Sequence, residues 1–138
     1  LSLNCDGIRK NMAHIIGQGL TKDNGFFVTD GSMGECSAMT LEERKQVIKT
    51  TVENAGDIPV VAGVNHTCVN NIIELANYAA SVGVKAVLLA PPYYHVYDLK
   101  QIKYFYHYVH DHIALPIMLY NNPGICGVDL PIRTLLER

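Results

Sequence analysis

The feature that most constrains this chain is a unit of one apolar strand-like run and one helical run, repeated about every 30 residues. Four short apolar runs, Gly25–Thr29, Ile58–Val64, Ala86–Ala90 and Leu115–Asn121, have centres near Phe27, Val61, Leu88 and Met118, spaced 34, 27 and 30 residues apart. Helical periodicity fills each interval. A first helix, Asp6 to Gly19, precedes the strands with Ile8, Met12, Ile15 and Ile16 on one stripe. Thr40 and Glu43 form a capping box that opens a helix to about Ala55. Cys68–Val82 and Asp98 to about His110 are the next two, and Pro131 starts a last one that runs to Arg138. One helix between successive strands forces parallel pairing through right-handed crossovers. A doubly wound sheet and a (β/α)8 barrel both satisfy the pattern. A whole barrel takes roughly 250 residues, so 138 residues would make about half of one. The helix with no strand before it, the unfinished last helix and Leu1 in place of Met all lead to the expectation of a truncated chain.

Composition removes several function classes. At 49% hydrophobic and 17% charged the chain has enough apolar surface to fold, unlike a disordered segment. Eleven basic against thirteen acidic residues give a net charge of −2, with no basic surplus for nucleic acid. The longest apolar runs, such as Ala86–Pro92, fall far short of the roughly 20 residues that span a bilayer, and no signal peptide opens the chain. Cys5, Cys36, Cys68 and Cys126 form no CxxC pair, which fits reduced thiols in a cytoplasmic protein.

In barrels and open α/β sheets alike, chemistry sits just past the carboxyl ends of the strands. Those positions hold Asp30–Cys36 (DGSMGEC), Asn65-His66-Thr67, Pro91–His95 (PPYYH) and Tyr120–Gly127 (YNNPGICG). Gly31 and Gly34 bracket Ser32 and Met33. On spacing alone this is first a tight turn with glycines at positive φ, and second a cradle of N–H groups for a carboxylate or phosphate. It is neither GxGxxG nor a Walker motif. Tyr94 and Tyr120 end strands, where a phenol can relay a proton or merely reach water.

His107, His110 and His112 suggest a metal cluster, but i, i+3, i+5 does not put three ligands on one helix face. No metal is expected. His66 and His95 are better placed but weak candidates, and Cys36 and Cys126 read as apolar fillers that could face the same cavity. None of the seven lysines follows a strand; Lys85 precedes one. The chain therefore lacks the strand-end amine that forms Schiff bases.

Taken together, DGSMGEC, PPYY and Tyr120–Val128 (YNNPGICGV) resemble, in order and spacing, the dihydrodipicolinate synthase and N-acetylneuraminate lyase family. That resemblance covers nearly the whole chain, and three signatures together decide Ser32, Met33 and Tyr120 in favour of the functional reading. It implies one partial (β/α)8 domain over residues 1–138, from the barrel's first helix through its fifth strand and the start of the fifth helix. The first strand and the last three βα units would be lacking. It implies a class I aldolase or lyase acting on pyruvate or a related 2-oxo acid, with no cofactor. Gly31, Ser32 and Met33 would bind the substrate carboxylate, and Tyr120 would shuttle protons near the imine carbon. Tyr94 would reach across a dimer interface into a neighbour's relay, in a homodimer or tetramer. The Schiff-base lysine would lie just beyond Arg138, so this chain alone would be inactive. Ile125 stands where the family usually has arginine, and an apolar side chain cannot hold a carboxylate bidentately. That weighs against aspartate semialdehyde as the second substrate and towards a sugar acid or another 2-oxo acid. The alternatives are a non-catalytic flavodoxin-like anion-binding or assembly module, whose sheet would reverse its strand order, and a half-barrel that self-associates to cover its open edges.

Overall fold

A computed structural model describes residues 2–131 and 133. Helix α1 spans Cys5–Gly17, strand β1 Phe27–Thr29, and two 3-10 turns follow at Ser32–Gly34 and Cys36–Ala38. Then come α2 (Leu41–Asn54), β2 (Val60–Gly63), α3 (Val69–Val82), β3 (Ala86–Leu89), α4 (Leu99–His112), β4 (Ile117–Leu119) and α5 (Pro123–Cys126). The terminal helix expected from Pro131 to Arg138 lies almost wholly outside the described residues.

Local chemistry sets the helix ends. Thr40 Oγ1 accepts the Glu43 N–H while the Glu43 carboxylate accepts the Thr40 N–H, the expected capping box. Asp98 and Gln101 repeat the device at α4. Asn4 caps α1 through the Gly7 N–H. Each strand is shorter than its apolar run. The four-residue α5, read from sequence as plain loop, starts on Pro123 at its first turn and ends at Gly127 in the left-handed region.

The strands pair in parallel in the order β1-β2-β3-β4. The reversal that a flavodoxin-like sheet predicts is absent from the described strands. Phe27, Val60, Ala62, Val87 and Leu89 point into a core shared with Ile48, Ile72, Leu75, Ala76, Ile102 and Val109 from the helices. The helices pack in chain order, α1 on α2, α2 on α3 and α3 on α4, as a single layer. On the other side Val28 and Met118 are exposed despite being apolar, at the positions paired with Val61 and Leu88. A doubly wound sheet buries both faces under helices; a barrel turns the second face inward upon itself. One helix layer and one bare apolar face make this sheet a stretch of barrel wall. Among the described residues, no helix is long and apolar enough to cross a membrane.

Candidate functional site

Parallel strands with a common direction deliver four loops to one end of the sheet. The first leaves β1 through Asp30, whose φ of 55° lies in the left-handed region. Glu35, on the far side of the turn, has the same φ of 55°. The strain expected at the glycines falls instead on the residues flanking them: Gly31 has φ −74°, and Gly34 is not left-handed. A Cβ added to either glycine would meet nothing within 4 Å. Neither backbone conformation nor packing requires glycine there, so what the two residues provide is open backbone. The Ser32–Gly34 turn bonds Gly34 N–H to Gly31 and Glu35 N–H to Ser32, which leaves the first-turn amides of Ser32 and Met33 without a carbonyl partner inside the turn. Met33 itself is 98% exposed, so any grip on a ligand here comes from its backbone.

The fourth loop brings in Tyr120. Its Oη lies 3.4 Å from Ser32 Oγ, with either hydroxyl able to donate, and Asn122 Nδ2 donates to the same phenol oxygen at 3.3 Å. The phenol is half-buried and the Ser32 hydroxyl side is exposed. At 3.4 Å the hydroxyl contact is long, a state common in unliganded sites whose hydrogen bonds tighten around substrate. Asn121 secures the loop by donating to Asp129 at 2.9 Å and accepting the Leu130 N–H at 3.1 Å.

Tyr94 is not part of this cluster. It is 88% exposed, adopts φ 87° and packs edge-on against His95. Its neighbour Tyr93 faces inward, with its phenol pKa raised by burial and by Cys36. His66 is used locally: its Nδ1 accepts the Cys68 N–H at 2.9 Å and its Nε2 lies 3.2 Å from Asn71 Nδ2. His110 and His112 turn to Asp111 and to the Tyr108 carbonyl. Cys126 has its thiol pKa raised by burial. Of the lysines, Lys85 precedes β3 and Lys45 is held by Glu42 and Glu74, which raise its pKa. That is the wrong direction for a nucleophilic amine.

Beneath the Ser32 turn is a pair that residue-by-residue reading missed. Arg44 is 1% exposed, and its Nε sits 3.7 Å from the fully buried carboxylate of Asp30. Burial lifts the Asp30 pKa to about 7, against the opposing pull of Arg44. Arg44 lies three residues after Leu41 and four before Ile48, on the apolar stripe of α2; a charge at a core register position was the available signal. A groove of about 840 Å³ between α3 and α4, lined by His66, Pro92, Tyr97, Tyr104 and Phe105 among others, includes neither Ser32 nor Tyr120.

Residues 2–137 match the model of the Dihydrodipicolinate synthetase family. A 4-hydroxy-tetrahydrodipicolinate synthase of Clostridium tetani is 36% identical over 129 residues, covering 93% of this chain and 44% of that enzyme. The chloride-inhibited dihydrodipicolinate synthase of Acinetobacter baumannii, solved in complex with pyruvate, superposes with a TM-score of 0.87 at 33% identity, over 96% of this chain and 45% of that one. A prophage protein of E. coli K12 belonging to the dihydrodipicolinic acid synthase family, also solved with pyruvate, gives 0.85 at 28%, over 93% and 42%. The chain spans less than half the length of these relatives.

Proposed function

Because the chain belongs to the dihydrodipicolinate synthetase family, we propose that it is the part of a class I aldolase or lyase barrel that binds pyruvate or a related 2-oxo acid. In this reading residues 1–138 form one partial barrel domain, completed by a further strand before it and further βα units after it. A lysine on the next strand attacks the keto carbon, water leaves and an iminium forms. Loss of a proton from the neighbouring carbon gives an enamine, whose carbon then makes or breaks the bond to the second substrate. The tetrahedral adduct that precedes the iminium needs a proton to expel its hydroxyl as water. Tyr120 supplies it and Ser32 hands protons to and from the phenol. Gly31, Ser32 and Met33 hold the substrate carboxylate at the open backbone of their turn. Tyr94, projecting from its loop, serves the relay of a second subunit in a homo-oligomer. Ile125, exposed on α5, cannot hold a carboxylate bidentately, which weighs against aspartate semialdehyde as the second substrate and towards a sugar acid or another 2-oxo acid.

The observation that carries this reading is the meeting of Ser32 and Tyr120 hydroxyls from opposite edges of the sheet. Borohydride reduction with pyruvate tests it in the longer protein that continues past Arg138. A stable pyruvate adduct on one lysine of that protein is expected, and none on residues 1–138 alone. Absence of an adduct from the longer protein overturns the reading.

A further inference from the structure

The Ser32–Tyr120 contact joins the two outer strands, yet the strand ladder ends before either residue. Its last paired positions are Thr29 with Ala62, Gly63 with Leu88 and Leu89 with Leu119. Beyond them the backbone bonds thin out: the Val64 N–H still donates to the Leu88 carbonyl and the Tyr120 N–H to the Leu89 carbonyl, both at 3.0 Å, and side chains add the rest.

Two side chains supply that link. Arg44 donates from Nη2 to the Gly63 carbonyl at 2.9 Å and from Nη1 to the Asn65 carbonyl at 2.7 Å. Its Nε faces Asp30, two residues before Ser32, at 3.7 Å, an ion-pair distance with no hydrogen bond. Asn65 carries the connection onward, because its Oδ1 accepts the Ala90 N–H at 2.6 Å. The adjacent Leu89 carbonyl accepts both the Tyr120 N–H at 3.0 Å and the Tyr106 phenol at 3.2 Å. A line of polar contacts thus runs from Asp30 through Arg44 and Asn65 to the residues that seat Tyr120. It is buried or half-buried along its length.

Burial makes this line rigid. A guanidinium shut away from water has no solvent to replace a lost acceptor, so the carbonyls of Gly63 and Asn65 are held at the positions the planar fork dictates. Asn65 is likewise the one partner of an amide just past β3 that the ladder leaves unpaired.

We infer that Arg44 and Asn65 are positioning residues that set the separation of the Ser32 and Tyr120 hydroxyls by bracing the carboxyl ends of β1, β2 and β3. Its catalytic consequence rests on the proposed aldolase reading; the geometric claim concerns the two hydroxyls alone.

The test uses full-length protein carrying ¹³Cζ-labelled tyrosine, with the Tyr120 resonance assigned by Tyr120→Phe. Asn65→Ala removes the acceptor, Asn65→Asp keeps it, and Arg44→Lys keeps the charge but replaces the planar fork with a point charge on a flexible stem. Asn65→Ala and Arg44→Lys are expected to shift the Tyr120 resonance towards that of Ser32→Ala. They should also slow pyruvate trapping at saturation by about tenfold or more, with half-saturating pyruvate changed by less than about threefold. Asn65→Asp should restore both readouts. Folded Asn65→Ala or Arg44→Lys protein with an unmoved Tyr120 resonance overturns the inference, as does failure of Asn65→Asp to restore it. Should the wild-type protein trap no pyruvate, the aldolase reading fails, and the resonance alone decides the positioning claim.

Discussion

Ser32 Oγ and Tyr120 Oη stand 3.4 Å apart although their loops leave the first and last strands of a four-stranded sheet. In a flat sheet those strands would be about 14 Å apart. Curvature of the wall and the length of the phenol close the gap, which is how a barrel gathers strand-end groups into one site. Ser32→Ala should therefore leave the fold intact, since Ser32 is exposed, while slowing adduct formation by about tenfold, the worth of one hydrogen bond. Ser32→Thr, which keeps the hydroxyl, should stay near wild type. Equal rates for the alanine and threonine variants would detach Ser32 from the relay.

Gly63 is where β1 and β2 come closest past their pairing. A Cβ there would sit 2.2 Å from the Asp30 carbonyl oxygen and 2.6 Å from its carbon. Both are backbone atoms that cannot swing aside, and the Gly63 carbonyl is also an Arg44 acceptor. Gly63→Ala is expected to cost about 3 kcal/mol or more of stability, in the range of severe core overpacking. Urea unfolding measures it. Gly31→Ala, with open space around its Cβ position, should cost under about 1 kcal/mol yet weaken pyruvate binding if the open backbone is what the ligand uses.

Tyr94 pays for a left-handed backbone, φ 87°, with an exposed side chain that buries little. Tyr94→Gly should raise the stability of the subunit by up to about 1 kcal/mol, because strain is relieved for the loss of one exposed edge contact with His95. The same variant should lower turnover of the assembled protein, and Tyr94→Phe should lower it too without the stability gain. Thermal melting beside turnover separates the two effects; a Tyr94→Gly protein of unchanged turnover would remove the residue from the site.

Much of this architecture was legible in the residues. The strand spacing, the Thr40–Glu43 box and the stripe of Ile72, Ala76 and Ala79 each encode local structure with few competing solutions. The strand-end position of Ser32 and Tyr120 followed from topology. What escaped depends on tertiary context. Arg44 falls on the apolar stripe of α2, but that the Gly63 and Asn65 carbonyls are its acceptors emerges only from the tertiary fold. Leu99, the apolar first residue of α4, is exposed, because the stripe of α4 that meets the core runs through Ile102, Tyr106 and Val109. In the loop after β1 the left-handed residues are Asp30 and Glu35, not the glycines between them.

The Asp30 carboxyl gives the protein a pH dependence of definite sign. Burial raises its pKa from 3.8 to about 7, and the Arg44 charge opposes this without cancelling it. Between about pH 4 and pH 7 the folded protein therefore holds a proton that the unfolded chain has released. With more protons bound in the native state, unfolding free energy falls as pH rises. The contribution is fully present below about pH 4 and lost by about pH 7. Glu43, held below its usual pKa by Thr40, acts in the opposite sense: its stabilisation is present above the unfolded-state pKa and fades as pH falls. Glu35 and Glu43 line the same cavity as Asp30, and His66, lowered chiefly by burial and also by Arg44, flanks it. Asp30→Asn leaves all of these groups in place and removes only the one carboxyl. Relative to wild type, the asparagine protein should gain stability as pH climbs from 5 to 7 and level off above that, as read by urea unfolding at each pH. Parallel stability curves for the two proteins would mean that Asp30 is already ionised at pH 5, with Arg44 outweighing burial.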